Sequence, residues 1–195
     1  MHEIISSYSF RRIKLTAMCK TLYYIVVVLG LFTSSCNTTP KVVEQPKPRI
    51  FPEYNVELDE IIRSKVGVIR GIDLNSKAIL ITKTETTQPS EVDSNYLYFE
   101  YKIDSITNYS VAYNLKKDSL DEVAVQINCN DLDLSAKLFT DLKTYYEKKL
   151  PNPTEDKGYV VYNCFEGERK PFVVSLTDNS TPAKGIINLI IYKDK

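Results

Sequence analysis

Ser76-Lys77-Ala78-Ile79-Leu80-Ile81-Thr82-Lys83-Thr84-Glu85 decides how this chain folds, because the decapeptide suits two structures. Its Ile-Leu-Ile-Thr centre favours a strand, paired with residues 66–72 across Asp73-Leu74-Asn75. Asn75 or Ser76 at its head favours a helix, since either side chain can accept from the first unpaired backbone N–H groups. The residues downstream weigh in. After a polar loop at 88–95, residues 96–103 alternate, with Leu97, Phe99 and Tyr101 on one face and Tyr96, Tyr98 and Glu100 on the other. Residues 109–116 repeat this with Val111, Tyr113 and Leu115. Lys117-Asp118-Ser119 makes a turn, and residues 122–128 continue with Val123, Val125 and Ile127, which completes an antiparallel meander.

The clearest helix spans about residues 134–150. Leu134, Leu138, Leu142 and Tyr145 form one apolar stripe, Asp131 or Asp133 caps its start, and Pro151-Asn152-Pro153 ends it. Three more strands follow, at 158–165, 172–177 and 185–192. A helix with three strands is thus followed by another helix with three strands, and this repeat favours the helix at Ser76. The expected fold is α+β: two tandem helix-plus-three-antiparallel-strand units forming one sheet-and-helix domain over residues 54–195. A short helix at 56–63 and a strand at 65–72 precede them.

The N-terminal residues follow another logic. Residues 1–35 hold Arg11, Arg12, Lys14 and Lys20 against Glu3 alone. Residues 22–32 are an unbroken apolar run, about 16 Å long as a helix and roughly half a bilayer core. Basic start and short apolar run have the form of a secretory signal. Thr33-Ser34-Ser35-Cys36 follows. This stretch resembles the lipobox of bacterial lipoproteins, in which a signal peptidase cuts before a Cys that receives lipid; the usual Leu three positions before the Cys is Thr33 here. The resemblance implies a signal peptide at 1–35 and lipid on Cys36, with the multiple acyl chains that give lasting attachment. An ordinary signal peptide or an uncleaved anchor is the alternative, and Met18 rather than Met1 is an alternative start. Residues 36–53, with Pro40, Pro46, Pro48 and Pro52, read as a semi-rigid tether of roughly 40 to 50 Å. No acidic cluster follows Cys36, which points to the outer membrane with the domain facing the periplasm.

Cys129 and Cys164 remain after such processing, each at the end of an expected strand. In an oxidising compartment they are candidates for a disulfide contributing roughly 3 to 4 kcal/mol, with two separate buried thiols as the alternative.

The order of elements in the mature chain resembles the tandem helix-and-sheet arrangement of β-lactamase-inhibitor-like proteins and small outer-membrane-assembly lipoproteins. Arg70-Gly71-Ile72-Asp73-Leu74-Asn75-Ser76 is similar to their Gly-x-x-x-Ser lead into a helix. Lys148-Lys149-Leu150-Pro151-Asn152-Pro153-Thr154 is similar to their helix exit, without its usual Gly. The resemblance implies a binding module with no chemistry of its own.

Several chemistries are excluded. His2 is the only histidine and falls in the signal, so imidazole-dependent hydrolysis and His-ligated metals are not expected. No Gly-rich phosphate loop is present, and no cofactor is expected. Overall 25 basic residues balance 25 acidic ones, leaving 21 against 24 after residue 35 and no basic stripe for nucleic acid. Asn128, Asn130, Asp131 and Asp133 are oxygen ligands for Ca²⁺ in one reading and a turn with a helix cap in the other; EF-hand spacing is missing, and no metal is expected. Tyrosine is enriched, and Tyr96 with Tyr98 is the candidate binding surface, against ordinary sheet packing.

The expected function is a non-enzymatic, lipid-anchored envelope protein that binds another envelope or periplasmic protein. The alternatives are an inhibitor or immunity protein against a toxin or periplasmic hydrolase, and a small-ligand or sugar-binding domain. The last requires a recess of at least about 300 Å³ lined by polar groups.

Overall fold

A computed structural model describes residues 48–150, 152–156, 159–164 and 171–194, all within one compact unit that begins at Lys47. The expected signal at 1–35, Cys36 and the tether as far as residue 47 lie outside the described residues. Among the described residues three helices, α1 (Val56–Ile62), α2 (Ala78–Thr84) and α3 (Leu132–Lys149), accompany eight strands. These are β1 (Glu91–Asp93), β2 (Tyr96–Lys102), β3 (Thr107–Lys116), β4 (Ser119–Cys129), β5 (Thr154–Asp156), β6 (Tyr159–Cys164), β7 (Phe172–Asp178) and β8 (Gly185–Lys193).

All eight strands form a single antiparallel sheet in the order β1-β2-β3-β4-β8-β7-β6-β5. The class is therefore α+β, dominated by sheet. The expected division into three-strand units is corrected, since each half of the chain contributes four strands to one continuous sheet. The two unforeseen strands, β1 and β5, are three-residue exposed edges. Alternation on β2, β3 and β4 follows the expected phase: Leu97, Phe99, Val111, Tyr113, Val123, Val125 and Ile127 are all buried. Ile187, Leu189 and Ile191 of β8 continue the same inner face.

The helices cover that inner face. In α3, Asp131 accepts the Leu134 N–H at 3.0 Å, and Leu138, Leu142, Tyr145 and Tyr146 are buried, Tyr146 beside Tyr162 of β6 and Tyr145 against Phe51 and Tyr54. A Cβ on Gly185 would lie 2.4 Å from Ser135 Cβ, so this glycine lets the first turn of α3 close onto β8. The segment at Ser76 is a helix, as the repeat argument favours. Neither Asn75 nor Ser76 caps it; Lys77 is the N-cap residue, without a side-chain bond. Only Ile81 of its apolar run is buried, while Ile79 and Leu80 are exposed.

The strand expected at 65–72 is a tight loop instead, with one isolated bridge between Ile69 and Ile72. Gly67 (φ +75), Arg70 (φ 55) and Gly71 (φ 80) are left-handed there, which no strand permits. A Cβ at residue 67 would stand 2.7 Å from the Ile72 carbonyl oxygen. The loop curls because it delivers Arg70 into the core. Arg70 and Glu85, whose side chains have no exposure, meet at 2.7 and 2.8 Å in a bidentate pair. Arg70 also donates to the Glu60 and Ile61 carbonyls that end α1 and to the Tyr109 hydroxyl. Glu85, just past α2, accepts further from Arg63, Tyr101 and Tyr113. The guanidinium lies 4.7 Å from the Tyr101 ring centre and 5.5 Å from that of Tyr109.

Burial alone would raise the Glu85 carboxyl, but hydrogen bonds and charge from Arg70, then the hydroxyls of Tyr113 and Tyr101, hold it below its ordinary value. Burial likewise disfavours the charged form of Arg70, and its bond to Glu85 keeps it firmly protonated. A carboxyl depressed in the folded state stabilises the fold above the ordinary carboxyl range and stops doing so as pH falls through its folded value. Urea melts should show Glu85→Ala destabilised by about 3 to 5 kcal/mol at neutral pH, since Arg70 is left buried and unpaired. The difference between wild type and Glu85→Gln should be full at neutral pH and shrink steadily below the ordinary carboxyl range. A pH-independent difference would contradict this.

Candidate functional site: the open face of the sheet

With the described helices on the inner face, alternate residues of every strand point the other way. Register places them in rows across the sheet. One row runs Tyr98, Ala112, Ala124, Ile190 and Ser175, on β2, β3, β4, β8 and β7. The next runs Glu100, Ser110, Gln126, Asn188 and Thr177, and beyond it lie Lys102, Asn108, Asn128 and Ile186. On the far side stand Tyr96, Asn114, Glu122, Tyr192 and Val173. Val173 and Ser175 are buried, so the face is open from β2 to β8 and covered at β7. The charge at outward positions of β3, β4, β8 and β7 lies toward one end, at Glu122 and Lys116. Acids gather at the sides instead: Glu91 and Asp93 on β1, Glu100 on β2 and Asp156 on β5.

The row of Tyr98 explains the relief of this face. Two small side chains, Ala112 and Ala124, lie between two large ones, Tyr98 and Ile190. A recess of about 180 Å³ results. A second recess of about 350 Å³ adjoins it and shares Tyr98, Ser110 and Gln126 as walls, with Asn108 and Asn128 beyond. Both open to solvent, and apart from the buried Tyr109 and Val125 the residues that line them are half-buried or exposed.

The structure separates the two tyrosines named from sequence. Both are half-buried on the outward face. Tyr96 donates its hydroxyl to Glu91 at 2.5 Å, and that bond raises its phenol above the ordinary value. Tyr98 has no such bond and forms a wall of both recesses. Sequence reasoning did not single out Ser110, Gln126, Asn128 or Asn188 as partners of Tyr98. The usable signal was the scarcity of Lys and Glu at alternate positions of β3, β4 and β8, where Lys116 and Glu122 are the exceptions.

Cys129 and Cys164 are both free. Cys129 pairs with Gly185 at one end of β8, whereas Cys164 pairs with Phe172, which pairs with Lys193 at the other. From Gly185 to Lys193 at about 3.3 Å per residue, the cysteines stand roughly 26 Å apart along the strand direction. A disulfide needs Cα atoms within about 7 Å, so the expected pairing is corrected. Asp131 is occupied as the cap of α3, and Asn130 donates its backbone N–H to the Ile106 carbonyl, in keeping with a turn and a cap. Among the described residues no three His, Cys, Asp or Glu side chains gather in a metal-holding group. The buried pair of Arg70 and Glu85 is sealed from solvent, so it offers no surface to a ligand.

No protein-family model, curated protein or solved structure matches this chain.

Peptide mapping after alkylation without reductant should recover Cys129 and Cys164 as separately alkylated peptides once the protein is unfolded. In the native state Cys164 should react first, because Cys129 is buried. A linked peptide containing both would refute the strand register.

Proposed function

We propose that this chain is a non-enzymatic binding protein, held on the outer membrane and facing the periplasm by lipid on Cys36, and that it meets its partner through the open face of the sheet. The observation that carries this reading is the charge-poor centre of that face. A solvent-facing sheet is ordinarily studded with charged side chains, whereas contact surfaces lose charge at their centre and gain tyrosine. Tyr98, Tyr192 and Ile190 with Ala112 and Ala124 fit that description, and the surrounding acids form a polar rim. Another envelope or periplasmic protein is the partner such a rim-and-centre arrangement suits.

Two further points belong to this reading. The strand order supports a tandem origin for the fold: α2 with β1–β4 and α3 with β5–β8 meet edge to edge at β4 and β8. A small-ligand or sugar reading is favoured by one observation, the polar recess of about 350 Å³ beside Tyr98. For the anchor, the basic start, short apolar run and Cys36 carry the argument. No helix among the described residues is long and apolar enough to cross a membrane.

Fatty-acid labelling should mark the wild-type chain and fail on Cys36→Ser; equal labelling would discard the lipid anchor. A photocrosslinking residue in place of Ile190 should yield discrete adducts in intact envelopes. The same residue in place of Lys137, on the exposed side of α3, should not. Equal adducts from both positions would discard the open face as the contact surface.

A further inference from the structure

We infer that the recess beside Tyr98 binds a neutral saccharide, the ring of a hexopyranose or a short uncharged oligosaccharide. This rests on the open face being the contact surface and names the chemistry of what enters it.

The argument begins with which polar groups are already used. Elsewhere on the same face two pairs of outward polar side chains are committed to one another: Tyr96 donates to Glu91, and the Asn114 amide donates to Glu122 at 2.8 Å. Around the recess no such pair forms, and six uncommitted polar groups gather together. The side chains of Tyr98, Asn108, Ser110, Gln126, Asn128 and Asn188 have no hydrogen-bond partner among the described residues. Antiparallel register sets them side by side, Ser110 against Gln126 and Gln126 against Asn188, with Asn108 against Asn128 two residues along. Neighbouring strands are about 4.8 Å apart, so these groups form a lattice of donors and acceptors.

Chemistry narrows the occupant. Amides both donate and accept, and hydroxyls do the same, so the lattice matches a ligand whose own groups have both capacities. A polyol has them at nearly every carbon. The same six groups facing an apolar protein surface would be stripped of water without replacement, which costs about 1 to 3 kcal/mol for each buried group left unpaired. A charged sugar finds no opposite charge in the recess floor, because Glu100 and Lys102 stand together at one margin and offset each other. Tyr98 supplies the remaining requirement: an aromatic ring with a polar tip, standing over the small Ala112 and Ala124, gives the C–H face of a pyranose something to rest against. The volumes of about 350 and 180 Å³ hold one to a few rings.

The test uses the full chain in phosphatidylcholine nanodiscs, titrated with maltohexaose, cellohexaose, xylohexaose and chitohexaose while amide NMR shifts are followed. At least one should bind saturably with Kd at or below about 1 mM, shifting β2, β3 and β4 resonances. Tyr98→Ala should weaken that binding at least tenfold and Gln126→Ala about threefold to tenfold. Tyr96→Phe, which alters a hydroxyl already held by Glu91, should leave it unchanged, as thermal melts of all three variants confirm an intact fold. No saturable binding by any of the four, or binding indifferent to Tyr98→Ala, overturns the saccharide assignment. If Tyr98→Ala instead abolishes the crosslinks formed from position 190, the open face survives as a protein contact. If it alters neither, both readings fall.

Discussion

Arg70 and Glu85 are fully enclosed charges, and the rest of the inner architecture is arranged so that neither is left without a partner. An isolated charge in that position would cost far more than a folded domain can bear, and a pair breaks even only when the remaining donors and acceptors are satisfied. Here they are. Arg70 reaches the last carbonyls of α1 and the Tyr109 hydroxyl, and Glu85 takes Arg63 and two tyrosine hydroxyls. Satisfying one ion pair therefore fixes where α1 ends, how the loop after it curls, where α2 stops, and how β2 and β3 lie beneath. Hydrophobic burial is non-directional and would tolerate several placements of two seven-residue helices. The bidentate geometry tolerates one.

That constraint reaches the open face through strand alternation. Tyr101, Tyr109 and Tyr113 point inward to the ion pair, while Tyr98, Ser110 and Ala112 on the same two strands point outward to the recess. Locking the inner residues of β2 and β3 locks the backbone that carries the outer ones. A recess whose floor is held from behind meets a ligand already shaped, which spares the ordering cost that a loop-built site would carry. The edges of the sheet reinforce the division. β1 and β5 are three exposed residues each, with Glu91, Asp93, Glu155 and Asp156 among them, and short acidic edges discourage strand addition. What the sheet offers to another molecule is its face.

How much of this could be read beforehand follows the strength of each local signal. The stripe of α3 and the alternation of β2, β3 and β4 were legible because long amphipathic segments state their own period. β1 and β5 were not: three polar residues carry no period, and their pairing is dictated by the neighbouring strand. The loop at 65–72 reads as a strand because Val66, Val68 and Ile72 alternate; positive φ at Gly67, Arg70 and Gly71 reverses that reading, and its cause is Glu85, fifteen residues beyond Arg70. An arginine flanked by Ile69 and Gly71 was the available hint, but its partner is tertiary. The disulfide failed for a related reason. Both cysteines do lie at strand ends, yet only strand order and register show that these are opposite ends of the sheet along the strand direction.

The candidate site was half legible, and the missing half is a matter of comparison between strands. Tyr96 and Tyr98 look equivalent along β2, and register alone tells them apart, placing Glu91 within reach of one hydroxyl and leaving the other beside two alanines. The same holds for the amides. Asn108, Gln126, Asn128 and Asn188 are unremarkable one by one, since each is a common surface residue. Placed together they form a field that is wetted without being charged. A sheet face that had only to stay soluble would use lysine and glutamate throughout, whereas here they stand away from the recess centre, as at Glu91, Lys116 and Glu122. Choosing amides and a hydroxyl for the centre gives up the repulsion that keeps flat faces apart, and that concession is intelligible where the surface must accept an uncharged, hydrogen-bonding ligand.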